Sequence, residues 1–454
     1  MARQLARDLP RLRKAINDPL TQRLLSMYLW TRGSEEWWGS SESHPNALTV
    51  LMELARLPSV SGAAHLSAAL YRAGRFEDAQ TFAMLENTPV AHWVRAKLAM
   101  RRGATEVAER ELEMASNALT NDEDWGAIID APPRQQIEVE RAILALSHDD
   151  FDLAMKHVLS SCSWEDIAWV AERVINTDSL KTVVDGLPAK DECRRIDPDP
   201  EEVDRWYSQW FPKDQHAALR ALLARRLMRE QRLNEALNYF GPEVRETAQL
   251  YVAALNRAAI SSSKLNQAAA LAEAAQLARR HGVGLLGTES APDYVWTGAY
   301  WDPTSYFEYE SPPFDAGPNR GRTPAENARA NASAPNPDRR YHWRWVASLL
   351  AEESANRLSK RSQAFVAMLC TSARYVMDSD PERAEHLFRR WIHEGPLLKE
   401  AMVFGRTCPM PRFTEPPAPK RKPMRQRTLA VVAGALIAGL AVFALVIGRR
   451  RKER

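Results

Sequence analysis

A five-residue pattern recurs along this chain and constrains its fold more than any other feature. Each copy has a turn residue, an apolar residue, two polar or variable residues and then alanine. Each copy follows one stretch with helical periodicity and opens another, which indicates helical hairpins. The apolar residue closes the turn, and the alanine fits where two helices cross too closely for a larger side chain. The copies are RFEDA at 75–79, DFDLA at 150–154, RLNEA at 232–236 and KLNQA at 264–268, with looser copies ATEVA at 104–108 and DPERA at 380–384.

The wider composition agrees with an all-α fold. Glycine is scarce, with 19 residues in 454, and runs with alternating β-strand patterning are nearly absent. Apolar residues instead recur at intervals of three and four, which is the helical period. We therefore expect an irregular helical-hairpin solenoid. The alternative is a compact all-α domain without superhelical stacking.

The hairpins resemble the tetratricopeptide repeat, a helical hairpin of about 34 residues. The best copy is 363–396, QAFVAMLCTSARYVMDSDPERAEHLFRRWIHEGP, in which Asp380 is placed to cap a helix that begins with Pro381. The resemblance implies an α-solenoid that works by holding other proteins along extended surfaces. It also implies close contacts between helices at Ala79, Ala154, Ala236, Ala268, Tyr375, Ala384 and Phe388.

An apolar segment at 429–448 has no charge and no strong polar group, and basic residues flank it on both sides. A helix of that length rises about 30 Å, which is the thickness of the hydrocarbon core of a bilayer. We predict one transmembrane helix at 428–448, after a proline-rich basic linker at 406–427 and before a basic tail at 449–454. Small residues at intervals of four would let two such helices approach closely, which makes self-association a further hypothesis. These residues are Ala430, Gly434 and Ala438.

The orientation of this segment is predicted from the start of the chain and from the cysteines. The first twenty residues contain no apolar core of a secretory signal. We therefore expect a tail-anchored, single-pass membrane protein with the bulk of the chain in the cytoplasm. The four cysteines form no CxxC pair, so the sequence does not support a disulfide framework or a zinc site. A reducing compartment is the default expectation for such a chain.

A long insertion interrupts the helical pattern after a helical repeat body at 1–286. It covers 287–341, and C-terminal helices with the repeat-like hairpin follow at 342–405. Its second half, 318–340, is polar and rich in Pro, Asn, Ala and Arg, so we expect that half to be mobile. Its first half is aromatic and should pack, either along the groove of the body or against a partner protein. The candidate partner-binding residues are Tyr294, Trp296, Tyr300, Trp301, Tyr306, Phe307 and Tyr309.

No catalytic, cofactor-binding or metal-binding residues are predicted. Gly282, Gly284 and Gly287 spell GxGxxG, but the motif follows a helix and not the strand that a dinucleotide site requires. We interpret Gly282 as the residue that ends this helix. The net charge of +3 comes from the basic residues around the apolar segment, which leaves the body mildly acidic and argues against nucleic-acid binding. The same basic residues suit anionic lipids.

The sequence thus predicts a membrane-tethered scaffold or adaptor that binds or organises partner proteins. Two other functions stay open. One is a structural subunit that self-assembles through the apolar segment and the helical body. The other is an enzyme whose site is scattered over the helices and the aromatic insertion.

Overall fold

A computed structural model of the chain describes residues 8–32, 45–119, 133–188, 193, 212–290, 293–295, 321–398 and 403–413. These residues form two compact units. Unit 1 lies within Met1–Glu243 and Leu286–Tyr341, and unit 2 lies within Val244–Leu285 and His342–Arg454.

The described part of the chain is all-α and contains no strand. Most of the helices are short and follow one another after turns of only a few residues. Their bounds are α1 Leu9–Ala15, α2 Pro19–Arg32, α3 Pro45–Leu54, α4 Ala63–Arg72, α5 Phe76–Ala83, α6 Pro89–Arg101, α7 Thr105–Ala118, α8 Pro133–Ser147, α9 Phe151–Ser161, α10 Trp164–Trp169, α11 Thr177–Asp185, α12 Gln215–Arg229, α13 Leu233–Ala236, α14 Pro242–Ile260, α15 Lys264–Leu286, α16 Pro324–Ala332, α17 His342–Arg357, α18 Gln363–Val376 and α19 Pro381–Glu394.

Four hairpins of unit 1 share one turn. In each of them, the residue five positions before the alanine of the recurring pattern has a positive φ. The next amide then donates a 2.9 Å hydrogen bond to a carbonyl in the last turn of the preceding helix. This is the Schellman arrangement, which satisfies carbonyls that a helix end otherwise leaves unpaired. The positive-φ residues are Gly74, Gly103, Asp149 and Gln231, and the paired amide and carbonyl residues are Arg75 with Leu70, Ala104 with Ala99, Asp150 with Ala145 and Arg232 with Leu227.

Alanines of the recurring pattern are buried in both units. Ala79, Ala108, Ala154 and Ala236 of unit 1 and Ala268 of unit 2 are all 0% exposed. Within unit 1, α2 packs on α4 and α4 packs on α6, so the first helices of successive hairpins stack on one another. This arrangement is compatible with a helical solenoid.

The hairpin formed by α18 and α19 is the main element of unit 2. Asp380 caps α19 as predicted, because its side chain accepts a 3.0 Å hydrogen bond from the amide of Arg383. Ala384, Tyr375 and Phe388 are only half-buried and pack at the edge of the core. The centre of that core is formed by larger residues of the same two helices, including Phe365 and Trp391.

Gly282 does not end its helix, contrary to the prediction. Helix α15 continues through Gly282 to Leu286, and the ring of Trp343 lies directly over the glycine. A Cβ atom at position 282 would lie 2.4 Å from that ring. Glycine is therefore present because an aromatic side chain packs against the helix backbone there.

The insertion also differs from its prediction. Residues 324–332 form helix α16, which Thr323 caps through a 3.0 Å bond from the amide of Glu326. The polar composition of 318–340 predicts mobility only if its side chains have no partners in the folded chain. In unit 1, Glu326 and Asp338 accept hydrogen bonds from Trp169 and Arg173. The compact units consequently group 286–341 with the N-terminal residues and divide the predicted 1–286 body within α14.

The cysteines are paired, which corrects the expectation that the chain lacks a disulfide framework. Cys162 is bonded to Cys193, and Cys370 is bonded to Cys408. The pairing was not visible in the sequence because the partners are 31 and 38 residues apart and follow no short motif.

No helix in the described ranges is long and apolar enough to span a membrane. The predicted transmembrane helix at 428–448, with Ala430, Gly434 and Ala438, lies outside those ranges.

The shared turn predicts opposite effects of two substitutions. Gly74→Ala should lower the free energy of unfolding by about 1–2 kcal/mol, because a side chain is disfavoured at positive φ. No atom lies within 4 Å of a Cβ at this position, so the cost is confined to the backbone. Gln231→Gly should raise the free energy by about 0.5–1 kcal/mol, because Gln231 is exposed and has the same conformation. Denaturant unfolding checks both, and shifts of the same sign would contradict this account of the turn.

Two glycines of α15 give a second matched pair. Gly282→Ala should destabilise the protein by about 1–3 kcal/mol, because the new methyl group overlaps the Trp343 ring. Gly284→Ala should instead be neutral or stabilising by up to about 1 kcal/mol, because its Cβ would lie at an ordinary 3.6 Å from Val244. Thermal melts of the two variants would show equal shifts if the contact with Trp343 is unimportant.

Candidate functional site: an arginine clasp at the base of the insertion

A π-helical turn, Val170–Val174, follows α10 and buries two successive charged residues. The amide of Ile175 donates to the carbonyl of Val170 at 2.9 Å, which is the wider hydrogen-bond spacing of a π turn. Glu172 is 0% exposed and Arg173 is 5% exposed. Turns of this kind are rare, and they are frequent at functional sites.

Helix α12 contributes three more arginines to the same interior. Arg225 and Arg226 are buried among leucines, and the side chain of Arg229 is 11% exposed. We call Arg173, Arg225, Arg226 and Arg229 the arginine clasp. Two of its members keep the π turn in place: Arg226 donates to the carbonyls of Ala171 and Ile175 at 2.5 and 2.9 Å, and Arg229 pairs with Glu172.

The clasp holds the first end of the insertion where it leaves α15. Arg229 donates to the carbonyls of Leu286 and Gly287 at 3.1 and 2.6 Å. Arg225 forms an ion pair with Glu289, which is 2% exposed. The carbonyls at the end of a helix have no partner within the helix, so the Arg229 guanidinium supplies the hydrogen-bond donors that the end of α15 needs.

The second end of the insertion is held by the other side of the clasp. Arg173 donates to the carbonyl of Ala330 at 3.3 Å and to Asp338 at 3.0 Å. Trp169 adds a 3.1 Å bond from its indole nitrogen to Glu326 on α16. The guanidinium of Arg322 lies 3.9 Å from the centre of the Trp169 ring, so this end has a cation–π contact as well.

The two ends meet at Asp293. This side chain is fully buried and accepts a 2.6 Å hydrogen bond from the amide of Tyr341. The amide of Val295 donates to the carbonyl of Thr288 at 2.7 Å, which folds the first end back on itself. The described ends of the insertion are thus joined to each other and to the body of unit 1.

The electrostatics of the clasp are those of charged groups moved out of water. Burial lowers the pKa of Arg225 to about 9, and it also lowers the pKa of Arg226. Glu172 acts against this effect by stabilising the charged form of both. Arg225 therefore stays protonated at neutral pH and pairs with Glu289, and Arg226 donates to backbone carbonyls of the π turn.

Of the predicted partner-binding residues, Tyr294 lies within the described part of the chain, next to Asp293 at the first end of the insertion. Tyr294 is half-buried and has a φ of 42°. Trp296, Tyr300, Trp301, Tyr306, Phe307 and Tyr309 lie outside the described residues. Within the described ranges, no group of three or more His, Cys, Asp or Glu side chains could hold a metal ion.

The clasp itself was missed in the sequence because arginines in a helix usually mark a solvated face. The available signal is the sequence of α12, QHAALRALLARRLMR, in which Arg225 and Arg226 are followed and preceded by leucines. No face of this helix is free of apolar residues, and its second half, Leu222–Met228, is buried. Its arginines must then find partners in the interior.

No protein-family model, curated protein or solved structure matches this chain. The likeness to tetratricopeptide repeats therefore depends on the hairpins and on the packing of their alanines.

The clasp predicts a large difference between two arginines that are three positions apart. Arg229→Ala should lower the free energy of unfolding by about 3–5 kcal/mol, because it leaves Glu172 buried without its ion-pair partner. Arg232→Ala should change it by no more than about 1 kcal/mol, because Arg232 pairs with Asp178 and Glu235 at the surface. Denaturant unfolding measures both, and equal losses would show that the buried pair has no special role.

Proposed function

We propose that this protein is a membrane-tethered helical scaffold that binds a partner protein through the aromatic part of its insertion. The observation that supports the proposal is the arginine clasp, which fixes both ends of the insertion to unit 1. Between those ends lie the aromatic residues that the sequence singles out, and Tyr and Trp are the side chains that dominate protein–protein hot spots.

The clasp is better explained by a need for position than by a need for stability. A buried ion pair often contributes no more to stability than apolar residues of the same volume would. Four buried or nearly buried guanidinium groups, holding two chain segments, are therefore an inefficient way to build a core. They do restrict where the insertion can leave the body, and fixing a binding segment in advance lowers the entropy cost of association.

The charge of the insertion suggests the chemistry of its partner. Between Asp293 and Pro318 the chain has eight aromatic and four acidic residues, and no Lys, Arg or His. Such a segment favours a basic surface, because cations pair with carboxylates and also bind aromatic faces. Attraction of this kind mainly raises the association rate and weakens in salt. The proposed partner is thus a protein with exposed Lys or Arg.

The membrane tether rests on the sequence of 428–448 and its flanks. The apolar segment has the length of a membrane span, and each flank has five basic residues that suit anionic lipids. Contrary to the predicted linker bounds, residues 406–413 pack on unit 2. The four prolines of 414–427 would keep the body at a distance from the bilayer as a semi-rigid spacer. In this arrangement the anchor supplies location, and the insertion supplies recognition.

Replacement of Trp296, Trp301 and Phe307 by alanine tests this function. The full-length chain is purified in mild detergent with its bound proteins, and the triple variant is compared with the unchanged chain. The captured partner should fall at least about tenfold, because hot-spot side chains contribute about 2 kcal/mol or more each. Raising the salt concentration should weaken capture by the unchanged chain.

A matched control changes Thr297, Thr304 and Ser305 to alanine in the same segment. This control should retain the partner, and circular dichroism should show equal helix content in all three proteins. Equal capture by the aromatic variant would contradict the proposal. A complex that contains only copies of this chain would instead favour the self-assembling subunit.

A further inference from the structure

All four cysteines of this chain are placed for bonding in two separate pairs. The Cα atoms are 5.4 Å apart for Cys162 and Cys193, and 5.6 Å apart for Cys370 and Cys408. Both values lie in the range of about 4.4–6.8 Å that a disulfide requires. The two pairs lie in different units, so neither pairing follows from the other.

One of these bonds holds a segment that has no helix or strand. Residues 403–413, which we call the strap, lie on unit 2 after α19. Cys408 of the strap is bonded to Cys370, which is 0% exposed in the middle of α18. The bond therefore joins the strap to the core of unit 2 and not to its surface.

Side-chain contacts align the strap on either side of the disulfide. On one side, the ring of Phe404 stacks on Trp391 with centroids 5.1 Å apart and planes 6° apart. On the other side, the amide group of Gln363 brackets the strap backbone. It donates to the carbonyl of Met410 at 2.8 Å and accepts from the amide of Arg412 at 2.9 Å.

We propose that this body folds in an oxidising compartment, where the Cys370–Cys408 bond locks the strap onto unit 2. Cytosolic thiols are kept reduced, so a cytosolic chain would gain nothing from placing its only four cysteines in two bonding pairs. The strap needs such a bond more than a helix would. Its backbone makes few hydrogen bonds of its own, and a cross-link stabilises by limiting the unfolded alternatives.

The chemistry of the lock is a two-electron oxidation. The Cys370 and Cys408 thiols release two protons and two electrons as the sulfur–sulfur bond forms. A thiol–disulfide oxidoreductase in its disulfide form accepts them and becomes a dithiol. This inference replaces the expected cytoplasmic location of the body with an oxidising one. It does not depend on the proposed partner binding.

The oxidation state in cells tests the compartment. Cells of the source organism are quenched with acid, and free thiols are labelled with a maleimide attached to polyethylene glycol. The full-length chain should carry no label before reduction and four labels after reduction. Labelling of all four cysteines without reduction would overturn the proposal.

Trypsin cleavage tests the lock, because Arg406 and Arg412 are exposed residues within the strap. In the oxidised full-length protein, cleavage after Arg406 should be slow. Reduction or Cys408→Ser should accelerate this cleavage at least about tenfold. Loss of a native disulfide typically changes the equilibrium between the closed and the open state by more than that factor. Cys193→Ser, which opens only the other bond, should leave cleavage after Arg406 slow. Equal rates in the oxidised protein and in Cys408→Ser would show that the bond does not hold the strap.

Discussion

The arrangement of unit 1 depends on the pairing of Arg229 with Glu172 in the interior. Neither charge could remain there alone, because an unpaired buried charge costs several kcal/mol. The pair joins α12 to the π turn, and the remaining donors of Arg229 reach the carbonyls at the end of α15. Through one side chain, the body of unit 1 is thus connected to the point where the insertion begins.

The recurring turn supplies the frame on which this pairing is built. The Schellman bonds set the angle at which each chain leaves its helix, and the small alanine lets the next helix approach closely. Gly74 and Gly103 adopt the required positive φ easily, whereas Asp149 and Gln231 adopt it at some cost. The persistence of the same geometry with different residues shows that the packing of the hairpins, and not local preference alone, determines the turn.

Much of this fold could be predicted from the sequence, because the relevant signals are local. The all-α class, the hairpins, the buried alanines and the cap at Asp380 all follow from spacing and residue type within a few positions. The hairpins show a helical fold that is compatible with a solenoid, and they do not by themselves assign the body to the tetratricopeptide-repeat family.

The features that sequence reasoning missed are those that depend on distant partners. Gly282 is explained only by Trp343, which lies in another helix. The polar composition of 321–340 predicts mobility. In the fold, however, Trp169 donates a hydrogen bond to Glu326, and Arg173 donates one to the carbonyl of Ala330. The cysteines pair across more than thirty positions. In each case the missing information was which parts of the chain meet.

The two units suggest a division of roles for this protein. Unit 1 holds the ends of an aromatic, acidic segment, and unit 2 holds the strap, which precedes the prolines of 414–427. Recognition and attachment would then be fixed at separate places, each by contacts that reach a buried core. Taken together, the two proposals place the encounter with the partner in an oxidising compartment.

Site-specific photo-crosslinking tests the central claim most directly. A benzoylphenylalanine residue is placed at Tyr300 or Phe307 in the full-length chain, and at the exposed Met84 and Met114 of the helical body as controls. If the clasped insertion is the recognition element, irradiation in cells should join positions 300 and 307 to one protein partner and should leave the control positions without it. Crosslinks to that partner from positions 84 and 114, with none from the insertion, would contradict this account.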